Sequence, residues 1–330
     1  MSNFVAGDIG GTKTRLAVVE VVGTQACILR EVSYPSRDYV TFEELLDDFL
    51  SRTEIPGHAA FGIAGPVQGQ VAQTTNLPWR IDADVLQHRF GFTHCALLND
   101  LEATAYGLMT LNENDLVTLQ SGEPDACGNV AVIAAGTGLG EAGLYWDGKK
   151  YHPFATEGGH ASFSPGDELE IALLRHLQRQ HQHVSWERVV SGVGLVGLHE
   201  FMGIYHRAAV PDWLTEEMHS GDTAAAIAGA ALTGRDDICM ETLNRFVRLY
   251  GAEAGNLALK VMSRGGLYLG GGIAPKILPL LQSGTFIETF LSKGRMRPLL
   301  ETIPVRVILD DHSALFGAAL RAAQLATQAL

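Results

Sequence analysis

The stretch Val5-Ala6-Gly7-Asp8-Ile9-Gly10-Gly11-Thr12-Lys13-Thr14 decides the fold, because it places a glycine run between two apolar runs that each resemble a strand. Glycine permits positive φ angles and close approach of the backbone, so that amide groups can converge on an anion. Asp8 and Thr12 add a carboxylate and a hydroxyl suited to Mg2+ and to phosphate oxygens. We therefore expect a phosphate-binding turn here, and the alternative is a plain tight hairpin.

Two familiar phosphate-binding motifs do not fit the glycine runs of this chain. A Walker loop has Gly immediately before its Lys, whereas Thr12 precedes Lys13. A dinucleotide-binding fingerprint leads directly into a helix, whereas residues 15–22 are a β-branched run typical of a strand. Residues 138–143 match that fingerprint as text, but they lead to the turn signal Asp147-Gly148. Both glycine turns are therefore predicted to join two strands.

Length and composition favour two domains. The chain has 330 residues, 46% of them hydrophobic, and it exceeds the size at which one hydrophobic core usually stops growing. A net charge of −13 argues against nucleic acid as a general partner. No stretch has the apolar length of a signal peptide core or a membrane-spanning helix, so we expect a cytoplasmic protein with no membrane partner. The four cysteines lack metal-ligand spacing and are predicted to be reduced, mostly buried thiols.

The glycine pattern recurs twice later in the chain. An apolar run, residues 130–135, leads into Gly136-Thr137-Gly138-Leu139-Gly140, and again no helix follows. Two such turns, one near the start of each half, predict a duplicated architecture that holds a polyphosphate from both sides. A third run, Gly270-Gly271-Gly272, follows the short strand Leu267-Tyr268-Leu269 and offers bare backbone to a flat ligand group. Adenosine is a natural candidate for that group.

Polar residues follow a buried strand at Asn99-Asp100. The apolar run His94-Cys95-Ala96-Leu97-Leu98 ends there, before a helix predicted to begin at Leu101. Ligands of open α/β sheets bind outside the carboxyl ends of the strands, so both residues would be presented to a substrate. Asp100 could accept a proton from an attacking hydroxyl, and Asn99 could hydrogen-bond a polyol. The alternative, that one of them merely caps the helix, stays open.

Three further polar residues are candidates for a ligand site. In Thr156-Glu157-Gly158-Gly159-His160, glycines flank a carboxylate and an imidazole that could bond sugar hydroxyls. A lone His is more often structural, and zinc is disfavoured because no Cys lies nearby to complete a ligand set. Glu187 has no informative local context, so its default interpretation is a solvated surface carboxylate.

Together these motifs resemble those of the bacterial ATP-dependent glucokinases, a branch of the hexokinase, actin and Hsp70 superfamily, over nearly the whole chain. The five matching segments are residues 7–12, 98–100, 136–140, 157–160 and 270–273. The resemblance implies a two-lobed ribonuclease H-like (actin-like ATPase) α/β fold, with mixed sheets, helices and a cleft between the lobes. We expect a small α/β domain over residues 1–110, completed by the C-terminal helix 311–330, and a large α/β domain over residues 111–310.

The resemblance also implies the activity and the residues that carry it. The protein would phosphorylate D-glucose to glucose 6-phosphate with ATP and Mg2+, as a homodimer at the first step of glycolysis. Asp100 would be the general base for the sugar 6-hydroxyl, and the sugar would bind to Asn99, Asp100, Glu157, His160 and Glu187. The phosphates would lie against Gly7, Asp8, Ile9, Gly10, Gly11, Thr12, Thr137 and Gly138. Asp8 would act near the Mg2+, indirectly, and the nucleoside would lie beside Gly270 and Gly271.

Two alternatives and two departures accompany this interpretation. The chain could be a kinase for another hexose or an amino sugar, or a non-catalytic sugar sensor, although Asp100 and the intact glycine turns weaken the sensor hypothesis. Lys13 stands where the family commonly has Asn, and Val193 stands where a Pro is common. The sequence does not decide whether Lys13 adds a charge near phosphate or points to solvent.

Overall fold

The computed structural model describes residues 2–51, 55–74 and 76–328, with side chains up to residue 327. The chain divides into two compact units. The first unit holds the chain up to Asp115, Pro153–Ala155 and the chain from Asp310 onward, and the second holds Leu116–His152 and Thr156–Leu309. The domain division expected from the sequence, with its boundary between residues 110 and 111, differs from these units by a few residues.

The strands of the described residues form two larger mixed sheets and a small one. They are β1 (Ser2–Ile9), β2 (Lys13–Val22), β3 (Gln25–Pro35), β4 (His58–Ile63), β5 (Val67–Gln68), β6 (Val71–Gln73), β7 (Arg80–Asp82), β8 (His94–Asn99), β9 (Leu116–Gln120), β10 (Val130–Ala135), β11 (Leu139–Trp146), β12 (Tyr151–Thr156), β13 (Gly266–Gly270) and β14 (Val305–Ile308). The larger sheets have the orders β3-β2-β1-β4-β8 and β12-β11-β10-β13-β14-β9, and the small one is β5-β6-β7.

The two larger sheets share one topology. In each, a central strand, β1 or β10, pairs antiparallel with the strand that follows it and parallel with a later strand, β4 or β13. The order 3-2-1-4-5 of the first sheet therefore recurs in the second, which adds β9 at its edge. The predicted duplicated architecture is confirmed at the level of strand order. The prediction that both glycine turns join strands is also confirmed, because one connects β1 to β2 and the other β10 to β11.

Twelve α-helices lie in the described part of the chain. They are α1 (Phe42–Leu50), α2 (Ala83–Phe90), α3 (Asp100–Gly107), α4 (Glu168–Leu177), α5 (Gly192–His206), α6 (Asp212–Ser220), α7 (Thr223–Leu232), α8 (Asp237–Val261), α9 (Leu278–Leu281), α10 (Thr285–Leu291), α11 (Arg297–Glu301) and α12 (Ser313–Gln328). Short polar side chains fix several of their starts. Thr41, Asp167, Ser191 and Asp236 each accept a hydrogen bond from an amide in the first turn of α1, α4, α5 and α8.

The two faces of the first sheet pack against different helices. On one face, Val5 and Leu16 belong to the same buried cluster as Phe42 of α1. On the other face, small residues of the sheet such as Ala17 pack with Leu315 and the alanines of α12. Helix α12 also contacts α3 so closely that a Cβ atom at Gly107 or Gly317 would collide with backbone carbonyls of the facing helix. These contacts explain why the C-terminal helix belongs to the first unit.

Helix α8 is the central helix of the second unit. Its Tyr250 hydroxyl donates to Ile133 O of β10 at 3.1 Å, and the apolar side chains of its inner face are buried. Gly251 and Gly255 let α8 approach the backbone carbonyls of α10, because a Cβ atom at either position would collide with them. The apolar residues that recur at spacings of three and four over residues 236–264 are typical of a helix, and the helix runs from Asp237 to Val261.

Two general expectations can be compared with the described residues. All four cysteines are free thiols, but Cys27 and Cys127 are exposed while Cys95 and Cys239 are buried. The expectation of mostly buried cysteines is therefore correct for only half of them. Among the helices in the described ranges, none combines the length and apolar character needed to cross a lipid bilayer.

Candidate active site

The carboxyl ends of three parallel strands lie side by side at one edge of the first sheet. In the strand register Ile9 of β1 pairs with Ile63 of β4, and Ile63 pairs with Asn99 of β8. The amide of Ala64 donates to Ile9 O at 3.0 Å just beyond the paired region. The first glycine turn therefore shares this edge with Asn99 and Asp100. Such an edge is where open α/β sheets bind ligands.

The first glycine turn is held by a buried serine. The Gly10 amide donates to Lys13 O at 3.1 Å, which closes the turn between β1 and β2. Ser36, fully buried, donates its amide to Thr12 O at 3.0 Å and its hydroxyl to Gly10 O at 2.8 Å. Its hydroxyl also shares a 2.9 Å hydrogen bond with the Thr14 hydroxyl. Ser36 could not be predicted from the sequence, because no local pattern links it to a turn more than twenty residues earlier.

Gly7, Ile9 and Gly11 of this turn have different structural surroundings. Gly7 has a packing reason to be glycine, because a Cβ atom there would lie 2.6 Å from Phe61 Cδ1. The Ile9 side chain is buried, so only its backbone can face a ligand. At Gly11 a Cβ atom would lie 2.6 Å from Asn76 Cβ, so the backbone passes close to that side chain. The assignment of Gly7, Ile9 and Gly11 to phosphate binding stays a prediction.

Asp8 lies among charged residues of the first unit. It faces Arg15 in the pairing of β1 with β2, and the Arg15 guanidinium bonds both the side chain and, at 2.9 Å, the backbone oxygen of Asp311. Burial raises the pKa of Asp8 above its ordinary value, the charge of Arg15 opposes this, Asp311 adds to it and Lys13 lowers it. Lys13 is exposed, yet its charge acts on Asp8. A bound cation would likewise favour the ionised form of this carboxylate.

Asn99 and Asp100 lie at the start of α3. Asn99 Oδ1 accepts a hydrogen bond from the Leu101 amide at 2.9 Å, and Asn99 Nδ2 donates to Gly65 O at 3.3 Å. Asp100 Oδ1 accepts from the same Leu101 amide at 2.9 Å. The hypothesis that one of the pair caps the helix is thus confirmed for Asn99. Both side chains are only half-buried, so capping leaves room for contact with a substrate.

The second glycine turn is held by Glu187. Gly136 donates its amide to Gly138 O at 2.9 Å and accepts from the Gly192 amide at 2.8 Å. Glu187 Oε2 accepts a hydrogen bond from the Leu139 amide at 3.0 Å, and a Cβ atom at Gly138 would lie 2.5 Å from the same oxygen. The side chain of Glu187 is 30% exposed. Its interpretation as a solvated surface carboxylate is therefore wrong.

Three of the predicted sugar-binding side chains come together in the second unit. His160 Nδ1 lies 3.9 Å from Glu187 Oε1, and His160 Nε2 lies 3.9 Å from Glu157 Oε2. These separations are too long for hydrogen bonds, so the polar atoms can bond the hydroxyls of a ligand. The backbones of the two segments are joined by the Trp186 amide, which donates to Ala161 O at 3.0 Å. Asn99 and Asp100 belong to the first unit.

The third glycine run lies beside the second glycine turn. Gly270 of β13 pairs with Ala134 of β10, and the Ile273 amide donates to Ala135 O at 3.1 Å. Gly271 has a φ of +78°, and a Cβ atom there would collide with Ala135 O. Apart from the adjacent residues of the chain, no described residue lies within 4 Å of a Cβ atom built at Gly136 or Gly272. The carboxyl ends of β10 and β13 thus present open backbone, which suits the phosphates and flat base of a nucleotide.

Comparison with known proteins identifies the family. A family model described as Glucokinase matches residues 5–325. A glucokinase of Nostoc punctiforme is 46% identical over 341 residues, which cover 98% of this chain and 100% of that protein. The crystal structure of a glucokinase from an Antarctic psychrotroph has a TM-score of 0.86 and 32% identity, with 98% of this chain and 99% of that chain covered.

A more distant structure extends the likeness in fold. A ROK family glucokinase from Streptomyces griseus, in complex with glucose and AMPPNP, has a TM-score of 0.68 at 22% identity, covering 98% of this chain and 100% of that chain. The expected actin-like ATPase class of fold is confirmed by these structures and by the mixed sheets. The full-length match to the family model and the identity to curated relatives show that the chain belongs to the glucokinase family.

Proposed function

We propose that this glucokinase transfers the γ-phosphoryl group of ATP to the 6-hydroxyl of D-glucose, with Asp100 as the general base. ATP-dependent phosphorylation of glucose is the activity of its family. The observation that carries the role of Asp100 is its position directly after β8, at the sheet edge that also bears the first glycine turn. Phosphoryl transfer needs mainly positioning and charge stabilisation, so a single carboxylate suffices to accept the proton.

The hexose is proposed to bind Glu157, His160 and Glu187, with Asn99 contributing its amide. The carboxylates accept hydrogen bonds from sugar hydroxyls, and the imidazole donates or accepts according to its tautomer. The 3.9 Å separations around His160 support this role, because they leave these atoms unpaired with one another. The complex of the Streptomyces griseus glucokinase with glucose and AMPPNP supports the same pair of substrate classes.

The nucleotide is proposed to bind the three glycine runs. Amides around Gly10, Gly11 and Gly138 would hold phosphates with the Thr12 and Thr137 hydroxyls, and Gly270 and Gly271 would lie beside the nucleoside. Mg2+ bound with ATP would neutralise charge on the phosphates. Mg2+ in proteins usually binds through one or two carboxylates together with several waters, and Asp8 fits this kind of site. Asp8 is buried, and a nearby cation would favour its ionised form.

The location, the oligomeric state and the metabolic step of the enzyme are proposed from family membership. We expect a cytoplasmic homodimer that acts at the first step of glycolysis. Light scattering coupled to size-exclusion chromatography tests the dimer, since it separates a mass of twice 35.5 kDa from the mass of one chain.

A coupled assay of ADP release tests the function. Purified protein is given ATP together with D-glucose, mannose, glucosamine or no sugar; ADP and polyphosphate, which release no ADP when they donate, are tested as donors by the formation of hexose 6-phosphate. We expect ADP formation that requires sugar and shows its highest kcat/KM with D-glucose and ATP. A higher kcat/KM for another sugar would reassign the substrate, and absence of hexose phosphate with every sugar and every donor would favour the sensor hypothesis.

A further inference from the structure

A buried pair of carboxyl groups lies next to the hexose segment, residues 157–160. Glu141 of β11 is 1% exposed and Glu253 of α8 is 0% exposed. Glu141 Oε1 accepts no hydrogen bond from any residue that the structure describes. Because an ionised carboxylate without donors is costly to bury, the interior favours a protonated Glu141. Glu253 is near enough for its charge to raise the pKa of Glu141 further.

The hexose segment packs directly against Glu141. The Thr156 hydroxyl donates to Glu141 O at 2.9 Å and accepts a hydrogen bond from the Gly158 amide at 3.2 Å. A Cβ atom at Gly158 would collide with Glu141 Oε2 and would lie 2.8 Å from its Cδ atom. The backbone at Gly158, between Glu157 and His160, therefore packs directly against the Glu141 carboxyl group.

Other charged groups around the pair come from α8 and from the segment after α10. Lys260 Nζ lies 3.1 Å from Glu253 Oε1, and Asn256 Nδ2 donates to Glu253 Oε2 at 2.8 Å. Lys293 Nζ donates to Asn256 Oδ1 at 2.7 Å. Among the described residues, Lys260 is the cation that directly contacts the pair, and it binds Glu253 rather than Glu141.

The remaining titratable groups do not offset a charge on Glu141. Tyr250 of α8 is fully buried, and the charge of Glu141 is one cause of its raised pKa. On the side of the hexose segment, the side chains of Glu157 and His160 are 67% and 60% exposed. Burial first, and then the charge of Glu253, raise the pKa of Glu141 to about 8, although Lys260 lowers it.

We infer that Glu141 is a positioning residue for hexose binding: as a neutral acid beside Glu253, it holds Gly158, and with it Glu157 and His160, in place. This inference rests on the proposed role of those two side chains in binding sugar. Ionisation of Glu141 places a second negative charge beside Glu253, directly beneath the hexose segment. The ionised carboxylate needs hydrogen bonds from water or from a donor group. To make them it displaces the hexose segment that packs against it.

Steady-state kinetics between about pH 7 and about pH 9.5 test the inference, using the full-length enzyme and its Glu141→Gln variant. Glutamine keeps the shape of the neutral acid and cannot ionise. We expect the wild-type KM for glucose to rise by about fivefold or more over this range, while KM for ATP stays within about twofold. In Glu141→Gln the KM for glucose should match the wild type near pH 7 and stay flat. The same rise in both proteins, or a flat profile in both, would overturn the inference.

A second variant separates the positioning role from packing alone. Glu141→Leu fills similar space but has no carboxyl group, so its KM for glucose should rise about tenfold or more at about pH 7. Glu141→Gln should restore the wild-type value. A Glu141→Leu variant with the wild-type KM would show that the carboxyl is not needed.

Thermal unfolding tests the buried acid independently of catalysis. In the unfolded chain Glu141 loses its proton near its ordinary pKa of 4.5, whereas in the folded chain its pKa is raised to about 8. The Tm of the wild type should therefore fall relative to that of Glu141→Gln from about pH 5 to about pH 8, and then level off. A constant difference would overturn the inference. If no sugar supports ADP release but this Tm dependence is present, the proposed function fails while the buried acid stands.

Discussion

Glu187 Oε2 accepts a hydrogen bond from the Leu139 amide at 3.0 Å, while its other oxygen, Oε1, lies 3.9 Å from His160 Nδ1. One carboxylate thereby contacts the second glycine turn and lies beside the proposed hexose site, both within the second unit. A ligand bound at either place acts on the same side chain. The binding of sugar and of nucleotide is therefore expected to be coupled through Glu187.

Removal of the Glu187 charge tests this coupling. Hydrogen bonds to charged groups contribute about 1.5–3 kcal/mol, so Glu187→Gln should raise the KM for glucose by roughly tenfold to a hundredfold. The KM for ATP should rise as well, because the Leu139 amide loses its charged acceptor. Glu168→Gln, an exposed carboxylate in the first turn of α4, serves as the control. A Glu187→Gln enzyme with unchanged KM for glucose would show that this carboxylate does not bind the sugar.

Ser36 is expected to hold the first glycine turn in its phosphate-binding form. Ser36→Ala leaves Gly10 O and the Thr14 hydroxyl without their partner, a loss of about 1–3 kcal/mol for buried groups. We expect a lower Tm and a KM for ATP raised about tenfold, with a smaller change in the KM for glucose. Ser33→Ala, at an exposed position of β3, is the matched control. Equal effects of the two substitutions on KM for ATP would argue against the role of Ser36.

Gly271 and Gly272 form a natural pair of variants. Gly271 has a φ of +78° and no room for a Cβ atom beside Ala135 O, whereas a Cβ atom at Gly272 would have no described residue within 4 Å other than its chain neighbours. Left-handed backbone costs a non-glycine residue about 1–2 kcal/mol before any collision is counted. Gly271→Ala should therefore lower the Tm by several degrees more than Gly272→Ala does, as measured by calorimetry. A smaller Tm loss in Gly271→Ala would contradict the described backbone.

The stability of the first unit is expected to depend on pH because of His58. Burial, together with the charge of His94 stacked on it at 5.5 Å, lowers the pKa of His58 below 6.5. The unfolded chain therefore takes up a proton before the folded chain does, and stability present above about pH 6.5 is lost as the pH falls. Between about pH 7 and about pH 5.5 the wild-type Tm should drop more than that of His58→Gln. His88→Gln, at an exposed position of α2, should behave as the wild type does.

Local patterns in the sequence predict much of the scaffold. The apolar runs on both sides of residues 10–12 and 136–138 identify two strand-turn-strand units, and the three-and-four spacing over residues 236–264 identifies helix α8. Helix propensity and strand alternation are local properties, so a single sequence records them. The repetition of the first turn in the second half also indicated the shared strand order.

Contacts between distant residues could not be predicted in this way. Ser36 supports a turn formed by residues 10–14, Glu187 bonds an amide 48 positions earlier, and Glu141 meets Glu253 across the second unit. Each depends on tertiary packing rather than on a neighbouring pattern. Glu187 illustrates the limit, because its local context is uninformative and only resemblance to a family suggested a role in the site.

The central claim, that Asp100 is the general base, is tested most directly by Asp100→Asn. Asparagine keeps an oxygen that can accept from the Leu101 amide at the start of α3, so the helix cap survives while the proton acceptor is lost. Turnover is measured by ADP release, glucose binding by calorimetry, and Asp84→Asn on α2 is the control. We predict that kcat falls by roughly 10²–10⁴ while the Kd for glucose changes little. A kcat equal to that of the wild type would contradict the account.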